Sequence, residues 1–174
     1  MFAKKAVLSV LLGMLASSGP TSTTMASSNE KVDARSDQRM ERSSRGLVTD
    51  IEKVAEQNDD FRRVIYTAKH SQLVVMALPP GEHIGAETHS DVDQFFRVEQ
   101  GSGEVMLGSK RQELGPGSAI VVPAGTKHDV KSTGDKPLKL YTIYSPPQHR
   151  DGVVHHTRAQ AEADKEHFDG KTTP

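Results

Sequence analysis

Hydrophobic residues change their spacing several times along this chain. Lys4 and Lys5 precede AVLSVLLGMLA (residues 6–16), an apolar run of about eleven residues, the size of a signal-peptide core and too short to span a bilayer. After residue 27 the apolar positions thin out, and Arg35, Arg39, Arg42 and Arg45 lie among Ser, Asp and Glu, the composition of a disordered leader over residues 27–48. Ile51, Val54 and Ala55 then recur at i, i+3, i+4 within IEKVAEQ. This spacing predicts a short helix, capped by Thr49 or Asp50 and ending near Asn58.

Beyond the helix the period becomes two. FRRVIYTAK (61–69) and SQLVVMAL (71–78) are rich in β-branched residues and close on Pro79-Pro80-Gly81. Further short strands are expected over 84–89, 94–99, 104–107, 110–114, 119–122, 128–132 and 138–144, each bounded by Gly, Pro or Asp. Many short strands at near-regular spacing define an all-β fold, a barrel or a sandwich, because only closed or stacked sheets bury so many two-sided strands. The domain occupies 49–147. A polar tail, 148–174, follows Pro146-Pro147; RAQAEADKEHF (158–168) has helix-forming composition, and the final GKTTP is expected to be frayed or swapped onto a neighbour.

Composition narrows the function classes. With 174 residues the chain holds one domain and appendages. A formal net charge of -1 offers no broad attraction to nucleic acid or anionic lipid, so neither is an expected partner of the mature protein. Cys is absent, which excludes disulfides and thiolate metal sites. The N-terminal run, with small residues up to Ala26 as a cleavage site, predicts a signal peptide over 1–26 and a secreted or periplasmic protein. A mitochondrial presequence is the alternative, since no acidic residue precedes Glu30, but the first Arg comes only at Arg35.

The chemistry gathers in two stretches. In GEHIGAETHSDVDQFFRVEQG (81–101), Glu87 and His89 are two apart and so share one side of a strand; the turn-forming SDVD folds Gln94 back beside them. Phe96 and Val98 share Gln94's face and supply an apolar wall. In GSAIVVPAGTKHDVKSTG (117–134), Pro123-Ala124-Gly125 redirects the chain so that His128 can point inward. The remaining histidines look peripheral: His70, His83, His149 and His167 are expected at the surface. The rings of His155 and His156 should point opposite ways, with no shared chelate. Tyr66, Tyr141 and Tyr144 read as core or rim aromatics. Alternation puts Leu138, Leu140, Thr142 and Tyr144 on one face, with Tyr141 and Ile143 on the other.

These two stretches resemble the paired motifs of the cupin superfamily, G-x5-H-x-H-x4-E-x6-G and G-x5-P-x-G-x2-H-x3-N, over roughly residues 61–145. The resemblance implies a cupin double-stranded β-helix, or jelly-roll, barrel with a short N-terminal helix and a polar C-terminal tail. It also places Glu87, His89, Gln94 and His128 at the four metal-ligand positions. The sequence departs from the family at two of them, and a subgroup of small bacterial cupins is similar in carrying this Glu-x-His and Gln form. Ser132 replaces the final Asn of the second motif. Two His, one carboxylate and a neutral amide keep the family's net ligand charge, and this oxygen and nitrogen set suits a divalent Mn, Fe, Ni, Co or Zn ion. The resemblance then implies a metal-binding cupin acting on a small organic molecule, by isomerase, lyase or oxygenase chemistry. The alternative is a non-catalytic small-molecule-binding cupin, with or without metal. Small cupins commonly pair, so a homodimer is expected, with 61–78 as a sheet edge able to complete a neighbour's sheet.

Overall fold

The computed structural model describes residues 42, 43 and 45–174. The expected signal peptide and most of the leader lie outside the described residues. At the leader's end, β1 (Arg42–Ser43) pairs antiparallel with β2 (Gly46–Leu47), and Leu47 packs against buried Ala55, Ile65 and Val75. Helix α1 (Ile51–Gln57) follows the i, i+3, i+4 face read from the sequence, and Asp50 is its cap, accepting from the Lys53 N–H at 3.1 Å.

The period-two segments become strands: β3 (Arg62–Thr67), β4 (Gln72–Leu78), β5 (Asp93–Gln100), β6 (Gly103–Leu107), β7 (Lys110–Leu114), β8 (Ala119–Val122), β9 (His128–Ser132) and β10 (Leu138–Ser145). β11 (Val154–His155) and helix α2 (Arg158–Ala163) complete the chain. One sheet has the order β11-β3-β4-β10-β5-β8 and the other β7-β6-β9, with antiparallel pairing throughout. Alternation supplies the core between them: Val74, Met76 and Leu78 of β4, Phe96 and Val98 of β5, Val105 of β6, Val130 of β9 and Leu138 and Leu140 of β10 are all buried. Opposite this face, Ala55 of α1 covers Ile65 and Val75. The inward row Gln72, Tyr144, Gln94 and Val122 runs across four neighbouring strands in register.

Four expectations are corrected. Residues 84–89 form no strand: the segment meets β9 through isolated bridges at His83↔Lys131 and Glu87↔His128, because Gly85 takes a positive φ of 98° and gives its N–H to the Asp129 side chain. The C-terminal helix ends at Ala163, five residues short of the expected 168, with Asp164 as its cap. The last residues are anchored within the same chain, since Thr173 is buried, donates its N–H to Thr67 O and accepts from the Thr67 N–H, both at 2.9 Å. Segment 61–78 is no free edge, because β4 lies between β3 and β10 and β11 pairs with β3 at Arg62 and Arg63.

Candidate metal centre

Three elements place the expected ligands. Alternation along β5 turns Gln94 inward beside Phe96, leaving it 1% exposed. His128, the first residue of β9, points inward and is buried. The irregular segment after β4 is tied to it by two reciprocal 3.0 Å bonds between the Glu87 and His128 backbones, and the His89 carbonyl accepts from Gly125 N–H at 2.7 Å. Glu87 and His89 thus reach the same point although they do not lie on a strand.

The functional atoms converge. Glu87 Oε1 is 3.4 Å from His89 Nε2 and 3.4 Å from His128 Nε2, and Gln94 Oε1 is 3.0 Å from His128 Nε2. Ligand bonds of about 2.0–2.1 Å give neighbouring donor atoms about 3.0 Å apart around an octahedron and about 3.4 Å apart around a tetrahedron. The observed spacings match those edges. His89 Nε2 is buried and faces Glu87 Oε1, and so belongs to the donor set an ion would meet. His128 Nδ1 lies 3.0 Å from Thr126 O, to which it donates, fixing the tautomer that leaves Nε2 for a metal. The Gln94 Nε2 donates to Thr142 Oγ1 at 3.1 Å, which aims the amide oxygen at the site. Among the described residues, Glu87, His89 and His128 form a group able to hold a metal ion.

The electrostatics agree with that geometry. Burial works to raise the Glu87 carboxyl, but the imidazoles of His128 and His89 overcome it and hold it at about 2. Burial works to lower His128, and Glu87 with the Thr126 carbonyl reverses it, leaving its value raised. An anion facing two imidazoles attracts a cation, whether a proton or a metal.

Residues that the sequence left peripheral also reach this end of the barrel. The Tyr144 ring stands edge-on to His89, with centroids 5.9 Å apart, and burial together with the Glu87 charge raises its hydroxyl well above the usual phenol range. His149, expected at the surface, has a side chain only 13% exposed, bonded to Glu166 and edge-on to Tyr144. The only signal for this in the sequence is its position just beyond β10, where the chain turns back. His83 is also drawn in, to Asp129 at 2.8 Å, but keeps over a third of its side-chain exposure. His70 and His167 are exposed, as expected. His155 turns in toward Asp164 and His156 out toward Asp60, so they share no site.

An antiparallel double sheet of this strand order, with a carboxylate and two imidazoles converging as a group that could hold a metal ion, defines a double-stranded β-helix. Residues 74–144 match the cupin domain model. The chain is 49% identical over 123 residues to the uncharacterised protein YrkC of Bacillus subtilis, covering 67% of this chain and 66% of that protein, just under two-thirds of its length. It is 41% identical over 118 residues to the uncharacterised protein L612 of Acanthamoeba polyphaga mimivirus, covering 66% and 74% of the two chains. The crystal structure of BH2720 from Bacillus halodurans superposes with a TM-score of 0.70 at 44% identity, covering 72% of this chain and 99% of that one. This chain belongs to the cupin family.

Proposed function

We propose that the protein is a mononuclear metal-dependent cupin that acts on a small organic molecule at the barrel mouth. The observation that carries this reading is the convergence of Glu87 Oε1, His89 Nε2 and His128 Nε2 at the edge lengths of a coordination shell, each histidine nitrogen 3.4 Å from the carboxylate oxygen. A divalent ion held there would supply Lewis acidity, and a two-His, one-carboxylate set leaves positions open for substrate or dioxygen. Isomerase, lyase and oxygenase chemistry all suit such a site. The chain's own residues do the rest. Gln94 presents its oxygen as a further ligand or orients the substrate, while the buried Phe96 ring, edge-on to His128, keeps water from one side.

The test begins with metal analysis of purified protein. Wild-type protein should carry about one equivalent of a divalent ion, and His128→Ala and Glu87→Ala should each lose it. Full retention in both variants sinks the reading. Incubation of loaded protein with candidate small molecules then separates turnover from binding alone. Export of the mature protein and pairing of two copies are proposals of the same standing, resting on residues 1–26 and on the habit of small cupins.

A further inference from the structure

Glu166 and His149 form a second buried pair, in a segment the two sequence motifs do not reach. The His149 backbone is locked to β4: its N–H donates to Gln72 Oε1 at 2.9 Å and its carbonyl accepts from Gln72 Nε2 at 2.7 Å. Its Nδ1 lies 2.8 Å from Glu166 Oε1, and the other carboxylate oxygen accepts from Arg150 N–H at 2.7 Å. The Glu166 side chain is 2% exposed. The proton therefore sits on Nδ1, and Nε2 across the ring is left as a lone pair, buried and without a partner.

One ring, Tyr144, separates His149 from the candidate ligand His89. Tyr144 stands edge-on to His149 on one side, centroids 5.1 Å apart, and edge-on to His89 on the other. Burial first, and the Arg62 charge after it, disfavour a proton on His149, while Glu166 and Glu87 favour one; the balance lies below the ordinary imidazole value, so the ring is neutral at neutral pH. A carboxylate on one ring nitrogen with the other free is the arrangement that fixes a tautomer and steadies the imidazolium formed when the free nitrogen takes a proton.

We propose that His149, steered by Glu166, is a second reactive group of this site, and that its Nε2 accepts the proton of a hydroxyl on a small organic ligand seated over Tyr144 beside the metal centre. The O–H bond breaks with both electrons staying on oxygen, Nε2 takes the proton, and Glu166 faces the imidazolium. The inference rests on the metal reading, since the oxygen left anionic needs the cation that Glu87, His89 and His128 would hold.

The test uses the full chain loaded with Zn(II), with acetohydroxamate as the probe because it loses a hydroxyl proton on chelation. Calorimetry in two buffers of different ionisation enthalpy counts where that proton goes. Wild-type protein should take it up, whereas His149→Asn and Glu166→Gln should release it to buffer and bind the probe about tenfold more weakly with unchanged Zn(II) content. A purely structural role would not move the proton count. Equal affinity and equal proton count in wild type and both variants overturns the proposal. If His149→Asn fails to fold, Glu166→Gln gives the same reading with the imidazole still in place. If wild-type protein binds no Zn(II), the metal reading fails separately, and nitrogen-15 NMR of the metal-free chain decides on His149: an unprotonated Nε2 at neutral pH supports the pair, a protonated one overturns it.

Discussion

Gln94 stands where the cupin motif has a carboxylate, and a neutral amide there must be oriented before it can serve. Thr142 on the adjacent strand provides that orientation by accepting from the amide nitrogen at 3.1 Å, so that the oxygen faces His128. Thr142→Val keeps the shape and removes the acceptor. Metal affinity should then fall by about tenfold, as for other partners of metal ligands, read by competition with a chromophoric chelator. Unchanged affinity would show that the amide orientation is irrelevant to the ion. Glu87, His89, Gln94 and His128 were legible through their places in the two motifs, although the strand expected to carry Glu87 and His89 is an irregular segment bridged to β9. Thr142 was legible only as an inward position. His149 and Glu166 were not legible as a pair, because their meeting depends on a tail with no periodic pattern folding back over the barrel end.

At the scale of elements, period-two runs translated directly into strands, and failures came where side chains replaced backbone pairing. Residues 81–87 keep scattered backbone bonds to β9, among them Ile84 N–H to Val130 O at 3.0 Å, while Asp129 takes the Gly85 N–H and the His83 ring where a regular ladder is missing. Lys139 shows another such side chain at work: it shares the outward face of β10 with Tyr141 and Ile143, yet is 8% exposed. Its ammonium donates to Glu56 O, Asn58 O and Asp59 Oδ1, each at 2.8 Å, and so satisfies carbonyls at the C-terminal end of α1. Lys139→Met keeps the apolar stem and removes these donors, and should destabilise the protein by about 2 kcal/mol in urea titration. Asp59 has a 92% exposed side chain, so Asp59→Ala should cost under about 1 kcal/mol. Equal losses in the two variants would mean that the ion pair, and not the helix end, is what Lys139 serves.

At the scale of the whole molecule, Glu87, His128, His149 and Glu166 are all displaced from their ordinary values, and stability should therefore depend on pH in a predictable direction. The Glu87 carboxyl falls from 4.5 to about 2 in the folded chain, so it contributes above pH 4.5 and loses that contribution as pH falls toward 2. The full contribution corresponds to about 3 kcal/mol. Glu166 is also lowered, with His149 and the Arg150 N–H overcoming burial, and adds to the same acid loss. His149, lowered mainly by burial, contributes above its ordinary value of 6.5 and loses that as pH falls below it. His128 has the opposite sign: its value is raised, so it stabilises the metal-free chain below 6.5 and ceases to do so as pH climbs past the raised value. A metal would take the place of that proton, so loaded protein should keep its stability on the alkaline side and lose it more steeply in acid as protons compete for the ligands. Melting temperature of metal-free and metal-loaded protein from pH 9 down to pH 3 reads both limbs. In metal-free Glu87→Gln the deficit relative to wild type should be largest between pH 4.5 and the raised value of His128, and shrink as pH falls toward 2. A deficit that stays constant across that range would show that Glu87 is not the group whose protonation weakens the fold.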